Sequence, residues 1–202
     1  MKSINHAIQF ITLSFVFLVP PVFAESSDNF RFSLIGGITL GGDEIFGLEY
    51  LDGRTDYVYA GDFAYVGGGL EYSINQDFTM QLNAQYHWDS ATAVNGDIKF
   101  SRYEFEVIPY YQISERYRIG LGLGMHTNVK FSSDFDKNAE FDNAKAVIAS
   151  IGRKMKYSDH WLEFRVVNIE YSMTQYNNNQ GSYYVLMPFD GNHVGLSYHM
   201  LF

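Results

Sequence analysis

Ser197 and His199 stand two residues apart in NHVGLSYHMLF, the last stretch of the chain. A serine with a base in hydrogen-bond reach and a carboxylate behind it can attack an acyl group. Spacing alone supplies neither the reach nor the orienting acid, and two residues along a strand says only that both side chains share a face. Polar filling of an interior is the plainer role, so no catalytic residue is assigned. A second set carries charge: Arg31, Glu71, Arg102, Glu104, Glu106, Arg118, Glu163, Arg165 and Glu170 include both signs and can pair. A third set is acidic, with Asp43, Glu44, Glu49, Asp52 and Asp56 in one stretch and Asp134, Asp136, Glu140 and Asp142 in another. Hard cations prefer such oxygens. The ordered spacing of a calcium loop is absent, so these acids read as solvated loops, and no metal ligand or cofactor is assigned.

What must position these residues is written in the alternation. In the closing stretch Val194, Leu196, Tyr198, Met200 and Phe202 alternate with Gly195, Ser197 and His199. Over 77 to 88, Phe78, Met80, Leu82, Ala84, Tyr86 and Trp88 take one face, and Thr79, Gln81, Asn83, Gln85 and His87 the other. Period two is the mark of strands with unlike faces. Three tight polar junctions, Asn75-Gln76-Asp77, Ser114-Glu115-Arg116 and Ser158-Asp159-His160, alternate with longer irregular segments, the pattern of a hairpin repeat. The spacing predicts eight strands: 30 to 41, 60 to 74, 77 to 88, 98 to 112, 116 to 130, 144 to 156, 160 to 174 and 192 to 202.

Composition narrows the class. Aromatics reach 17%, with 16 Tyr and 17 Phe beside 18 Gly, and there is no Cys, which excludes disulfides and thiolate chemistry. Residues 1 to 24 read as a secretory signal: Lys2, an apolar run from Phe10 to Val19, then Val22-Phe23-Ala24, with cleavage before Glu25. Removing them takes away one of 14 basic residues and none of the 23 acids, so the formal charge moves from −9 to −10. Such a balance argues against nucleic acid. After residue 24 no apolar run is long enough to cross a bilayer as a helix.

The polar faces hold too much charge for a soluble core and too many small residues for a fully solvated surface. A closed antiparallel barrel, apolar outside and polar inside, fits both facts, because closure satisfies every backbone group in lipid. Two strands break phase: Ile98 and Phe100 against Tyr103, Phe105 and Val107, and Leu162 and Phe164 against Val167, Ile169 and Tyr171. A bulge in each would restore it. Arg153 falls on the lipid face near a strand end, within reach of headgroups. Gly120, Gly122 and Gly124, with Gly67 to Gly69, either leave room beside the long Arg and Glu side chains or mark sharp curvature in the strands. Tyr72, Trp88, Tyr111, Tyr117, Trp161 and Tyr198 fall where rings would sit at headgroup level.

From Phe30 to Phe202 the chain resembles the small eight-stranded bacterial outer-membrane barrels of the OmpA, OmpX and OmpW type, in hairpin order, loop lengths and terminal strand. Val194, Leu196, Tyr198, Met200 and Phe202 are similar to the C-terminal signal that such barrels present to the barrel assembly machinery. The resemblance implies residues 25 to 202 as one barrel domain in a Gram-negative outer membrane, with chain ends and short turns in the periplasm and long loops outside. It implies lipid and lipopolysaccharide as surroundings, a monomer, and no particular activity. Small barrels that deacylate lipid A carry His-x-Ser; here the order is reversed and near the periplasmic rim, so an enzyme is not expected. No peptidoglycan-binding domain is expected after the eighth strand. The expected role is structural or surface interaction, with an external protein or sugar as ligand for loops such as Tyr176 to Tyr184, rich in amides and tyrosines. The alternatives are a narrow channel for small or hydrophobic solutes, against which an eight-stranded bore is narrow enough for side chains to fill, and a lipid-modifying enzyme.

Overall fold

The computed structural model describes residues 29–50, 53–93 and 96–202. The expected signal and its cleavage point lie outside the described residues. Among the described residues twelve strands follow in order: β1 (Phe30–Gly41), β2 (Glu44–Glu49), β3 (Thr55–Tyr59), β4 (Phe63–Ser73), β5 (Phe78–Ala93), β6 (Gly96–Ser114), β7 (Tyr117–Ser133), β8 (Asn138–Phe141), β9 (Ala144–Lys154), β10 (Trp161–Asn178), β11 (Gly181–Asp190) and β12 (His193–Leu201). Eight of them close a ring in the order β1, β4, β5, β6, β7, β9, β10, β12, every neighbour antiparallel. The ring shuts where β12 returns to β1, from Ser33↔Leu201 to Gly41↔His193. With no open edge in the ring, its backbone donors and acceptors are paired, the condition for a strand structure in lipid.

The remaining strands are built from the long connections. β2 and β3 form a separate hairpin, β8 bridges β7 and β10, and β11 pairs with β10 above the ring. Short turns at 74–77, 115–116 and 155–160 define the opposite end.

The wall is inverted relative to a soluble protein. Phe32, Ile38, Leu40, Leu121 and Leu123 are at least 60% exposed on the outside, while Glu71, Arg102, Arg118, Glu163 and Arg165 are at most 2% exposed within. Outward rings form two girdles. Phe30 meets Tyr72 at 4.7 Å and Phe78 meets Tyr111 at 5.0 Å near the short turns. Near the long loops Phe63, Trp88, Tyr86 and Tyr103 make a continuous row, at 6.3, 5.7 and 5.2 Å between successive rings. Along β5, Phe78 to Trp88 spans about the 9–11 residues that a tilted strand needs to cross the hydrocarbon. The fold is thus a transmembrane barrel.

The two expected bulges are absent. In β6 Ile98, Phe100, Arg102, Glu104, Glu106, Ile108 and Tyr110 all point inward, and in β10 every odd residue from Trp161 to Tyr171 does. The phase change is a change in the polarity of the interior: charged in its middle, apolar toward the long loops. There Ile98, Phe100, Val129, Phe131, Phe141, Val167, Ile169, Tyr171 and Phe189 pack into one buried cluster with Leu48, Val58 and Ala60 from the first long connection. A bulge does occur, in β7, where Ser101↔Lys130 is followed by Tyr103↔Thr127 and Asn128 takes φ 51°. It moves Val129 and Phe131 into the cluster, which strict alternation from His126 would have turned outward.

Two further expectations need correction. Trp161 is buried inside the bore rather than at a headgroup girdle. Gly120 and Gly122 do not make room for charged groups: a Cβ there would stand 2.7 Å from Tyr110 Cε1 and 2.6 Å from the Val107 carbonyl, with Ile108 at 2.7 Å. These glycines let Tyr110 and Ile108 lie flat against β7.

Candidate functional site

The interior carries the chemistry, and three levels of it cross the bore. Nearest the short turns, Arg118 of β7 donates to Glu71 of β4 at 2.8 Å and approaches Glu163 of β10 at 3.4 Å. Its guanidinium lies 3.9 Å from the Tyr110 ring centre and 4.4 Å from that of Trp161. Tyr110 donates to Glu163 at 2.9 Å, and Arg31, a third exposed, also pairs with Glu71. In the middle, Arg165 of β10 pairs with Glu106 of β6, which also accepts from Asn83 at 3.1 Å. Above it, Glu104 takes Arg102 Nε at 3.1 Å and His87 at 2.7 Å, while His126 meets the Tyr171 hydroxyl at 2.7 Å. Tyr171 belongs to the apolar cluster, so ionic and dry zones meet there.

The pairs of Arg118 with Glu71 and Glu163, and of Arg165 with Glu106, join strands that are not neighbours in the ring, so these side chains cross the lumen. Both signs are matched, as buried charge requires. Of the nine residues expected to line the interior, seven lie buried in this network, Arg31 lies at its rim, and Glu170 does not belong to it. Glu170 is exposed on the outer wall, because β10 runs straight and turns Ile169 and Tyr171 inward instead. Sequence reasoning placed Gln81, Asn83, Gln85 and His87 on the polar face but did not join them to the charges. The register His87↔Arg102, Gln85↔Glu104, Asn83↔Glu106 joins them, and a hairpin alignment of β5 on β6 would have found it.

Ser197 Oγ lies 3.0 Å from His199 Nε2. Glu163 Oε1 approaches that same nitrogen at 3.8 Å, while Nδ1 faces Gln81 Nε2 at 3.4 Å. In a working triad the acid holds the nitrogen remote from the serine. Ser197 and His199 are also sealed inside, at most 1% exposed. The pair fills the lumen.

Three of the loop acids accept hydrogen bonds from within the protein. Asp43 accepts from Asp190 N at 2.8 Å, Asp56 from the Tyr50 hydroxyl at 2.7 Å, and Asp134 from Asp97 N at 3.0 Å. Among the described residues no group of three or more His, Cys, Asp or Glu could hold a metal ion; Asp52 lies outside them. Val194, Leu196, Tyr198 and Met200 sit on the outward face of the closing strand, and Phe202 follows just beyond its end, exposed.

No family model and no curated protein matches the chain. Among solved structures it is similar to the outer membrane protein AlkL determined in DMPC bilayers, at 11% identity and TM-score 0.49, covering 90% of this chain and 95% of that one. It is also similar to Ail, the attachment invasion locus protein of Yersinia pestis, at 13% identity and TM-score 0.39, covering 85% and 97%. A third likeness, to OmpT of Vibrio cholerae, has 10% identity and TM-score 0.33 over 85% of this chain and 52% of that one.

Proposed function

We propose that the protein is a non-conducting outer-membrane barrel that holds its β10–β11 hairpin outside the cell to engage an external protein or sugar. Lipid and lipopolysaccharide surround it, the barrel assembly machinery inserts it through the outward face of β12, and it works as a monomer. The short turns face the periplasm.

The observation that carries this reading is β11. Outward residues of β10 change from Leu162, Phe164 and Val166 to Asn168, Glu170 and Ser172, so the apolar band ends below the point where β11 pairs. Above it, Tyr184 and Leu186 are 90% and 86% exposed, beside Tyr183 and Met187. Among the described residues β11 pairs with β10 alone; its other edge is tied to Asp43 at Asp190, and no strand pairs along the rest of it. From Tyr171 to Phe189 there is no charge, while the other long connections carry the acids. An open, uncharged, aromatic edge in water is the kind of surface that interfaces bury.

The network across the bore opposes a channel. In planar bilayers the purified protein is expected to show no discrete openings at neutral pH. Displayed in nanodiscs to a glycan array and a peptide library, it is expected to retain ligands that the Tyr184→Ser/Leu186→Ser variant binds about tenfold more weakly. Reproducible single-channel openings, together with no ligand from either collection, would overturn the reading in favour of a pore.

A further inference from the structure

The periplasmic end carries a second feature, and it differs in charge from the rest of the molecule. The turns at 115–116 and 155–160 enclose an open groove of about 510 Å³ lined by Glu115, Arg116, Lys154, Met155, Lys156, Tyr157, Ser158 and Asp159. The turns are tied together, since Lys154 N donates to the Arg116 carbonyl at 2.8 Å and Met155 N to the His160 carbonyl at 2.8 Å. One ion pair is satisfied internally: Lys154 Nζ meets Asp159 at 2.5 Å, and that hydrogen bond holds the Asp159 carboxyl below its ordinary range. Around it Arg116, Arg153 and Lys156 have no acid partner among the described residues, and Glu115 is the one remaining acid. A chain of net charge −9 therefore presents a local excess of cations here.

Two observations indicate what would neutralise them. The groove lies beside the lipid-facing wall: Arg153, next in the chain to its lining residue Lys154, is exposed opposite Tyr117, near the outward pair Ile119↔Ile151. Its cations therefore lie at headgroup depth, where long side chains reach phosphates. Tyr157 is 92% exposed at φ 70°, a left-handed conformation that costs a bulky residue strain, and Lys156 Nζ lies 4.8 Å from its ring centre. The turn thus displays an aromatic ring and cations together beside the bilayer.

We propose that this groove seats the phosphodiester headgroup of an anionic phospholipid from the periplasmic leaflet, with Arg116, Arg153 and Lys156 as its contacts and Tyr157 beside the glycerol. The inference rests on the proposed membrane orientation. The mature chain, folded in phosphatidylcholine bilayers containing phosphatidylglycerol, is released and its bound lipids counted by native mass spectrometry. Phosphatidylglycerol is expected to be enriched on the order of tenfold over its bilayer fraction, and the Arg116→Gln/Arg153→Gln/Lys156→Gln variant to lose that enrichment. Tyr157→Gly relieves the left-handed strain, so it folds at least as well as the parent chain, and it is expected to lower retention severalfold. Equal loss in a Lys99→Gln/Lys130→Gln/Lys145→Gln control at the other end would reduce the effect to bulk charge and overturn the site. Displacement of the lipid by millimolar inorganic phosphate would show a free-anion site and overturn the lipid assignment. A chain that folds and shows no lipid preference refutes this inference and leaves the barrel intact; a chain that folds in no bilayer refutes the barrel.

Discussion

Arg118→Met lowers the unfolding free energy by about 3–5 kcal/mol, because it leaves two carboxylates buried without their shared cation. Glu71 and Glu163 are at most 1% exposed, and Arg118 lies between them. The substitution also empties the space between Tyr110 and Trp161 of its charge. Urea unfolding in phosphatidylcholine vesicles, followed by the loss of heat-modifiable gel migration, measures the change. The triple variant Glu71→Gln/Arg118→Met/Glu163→Gln recovers most of it, since removing all the charges removes the mismatch along with the pair energy. A single substitution that costs under about 1 kcal/mol would show that Arg31 or solvent, not Arg118, compensates the acids.

Leu121→Arg is the counterpart on the outer wall. Leu121 is 66% exposed midway along the outward series Tyr117, Ile119, Leu121, Leu123, Met125, and its surroundings are hydrocarbon. A cation there costs about 2–4 kcal/mol at the bilayer midplane, and about 0–1 near an interface. The same assay on Tyr117→Arg, at the girdle, is expected to give the smaller value. Equal costs at both positions would contradict the depth assigned to them.

How much of this the sequence disclosed depends on what alternation can and cannot express. β1 was expected over 30 to 41 and found there to the residue, because Phe30 and Gly41 bound a clean period of two. β5 and β6 run longer than expected, to Ala93 and from Gly96, because the hairpin continues past the bilayer, where outward residues such as Ser90 and Thr92 no longer need to be apolar. The phase of Val167, Ile169 and Tyr171 was misread for a physical reason. Period two fixes which residues share a face, but it identifies the inner face only while that face keeps one polarity. The interior changes from ionic to apolar between Arg165 and Val167, and a reader who assumes a uniform lumen must invent a bulge. The short strands went unread for different reasons: β2 and β3 pair only with each other within one long connection, β8 bridges β7 and β10, and β11 pairs with a strand extended beyond its expected end. Most of the charged network was legible from parity alone. The pairing within it was not, since Arg118 with Glu71 and Arg165 with Glu106 join strands set apart around the ring.

The change of interior polarity has a consequence for the environments this protein can tolerate. Its outer mouth is stoppered by packed hydrocarbon, with Phe100, Phe141 and Phe189 ring against ring, while its ions lie deeper, away from bulk electrolyte. Mobile ions weaken charge pairs that they can surround, and they have little hold on a plug of aromatic rings. The ring packing at the mouth is therefore expected to hold equally in brine and in fresh water.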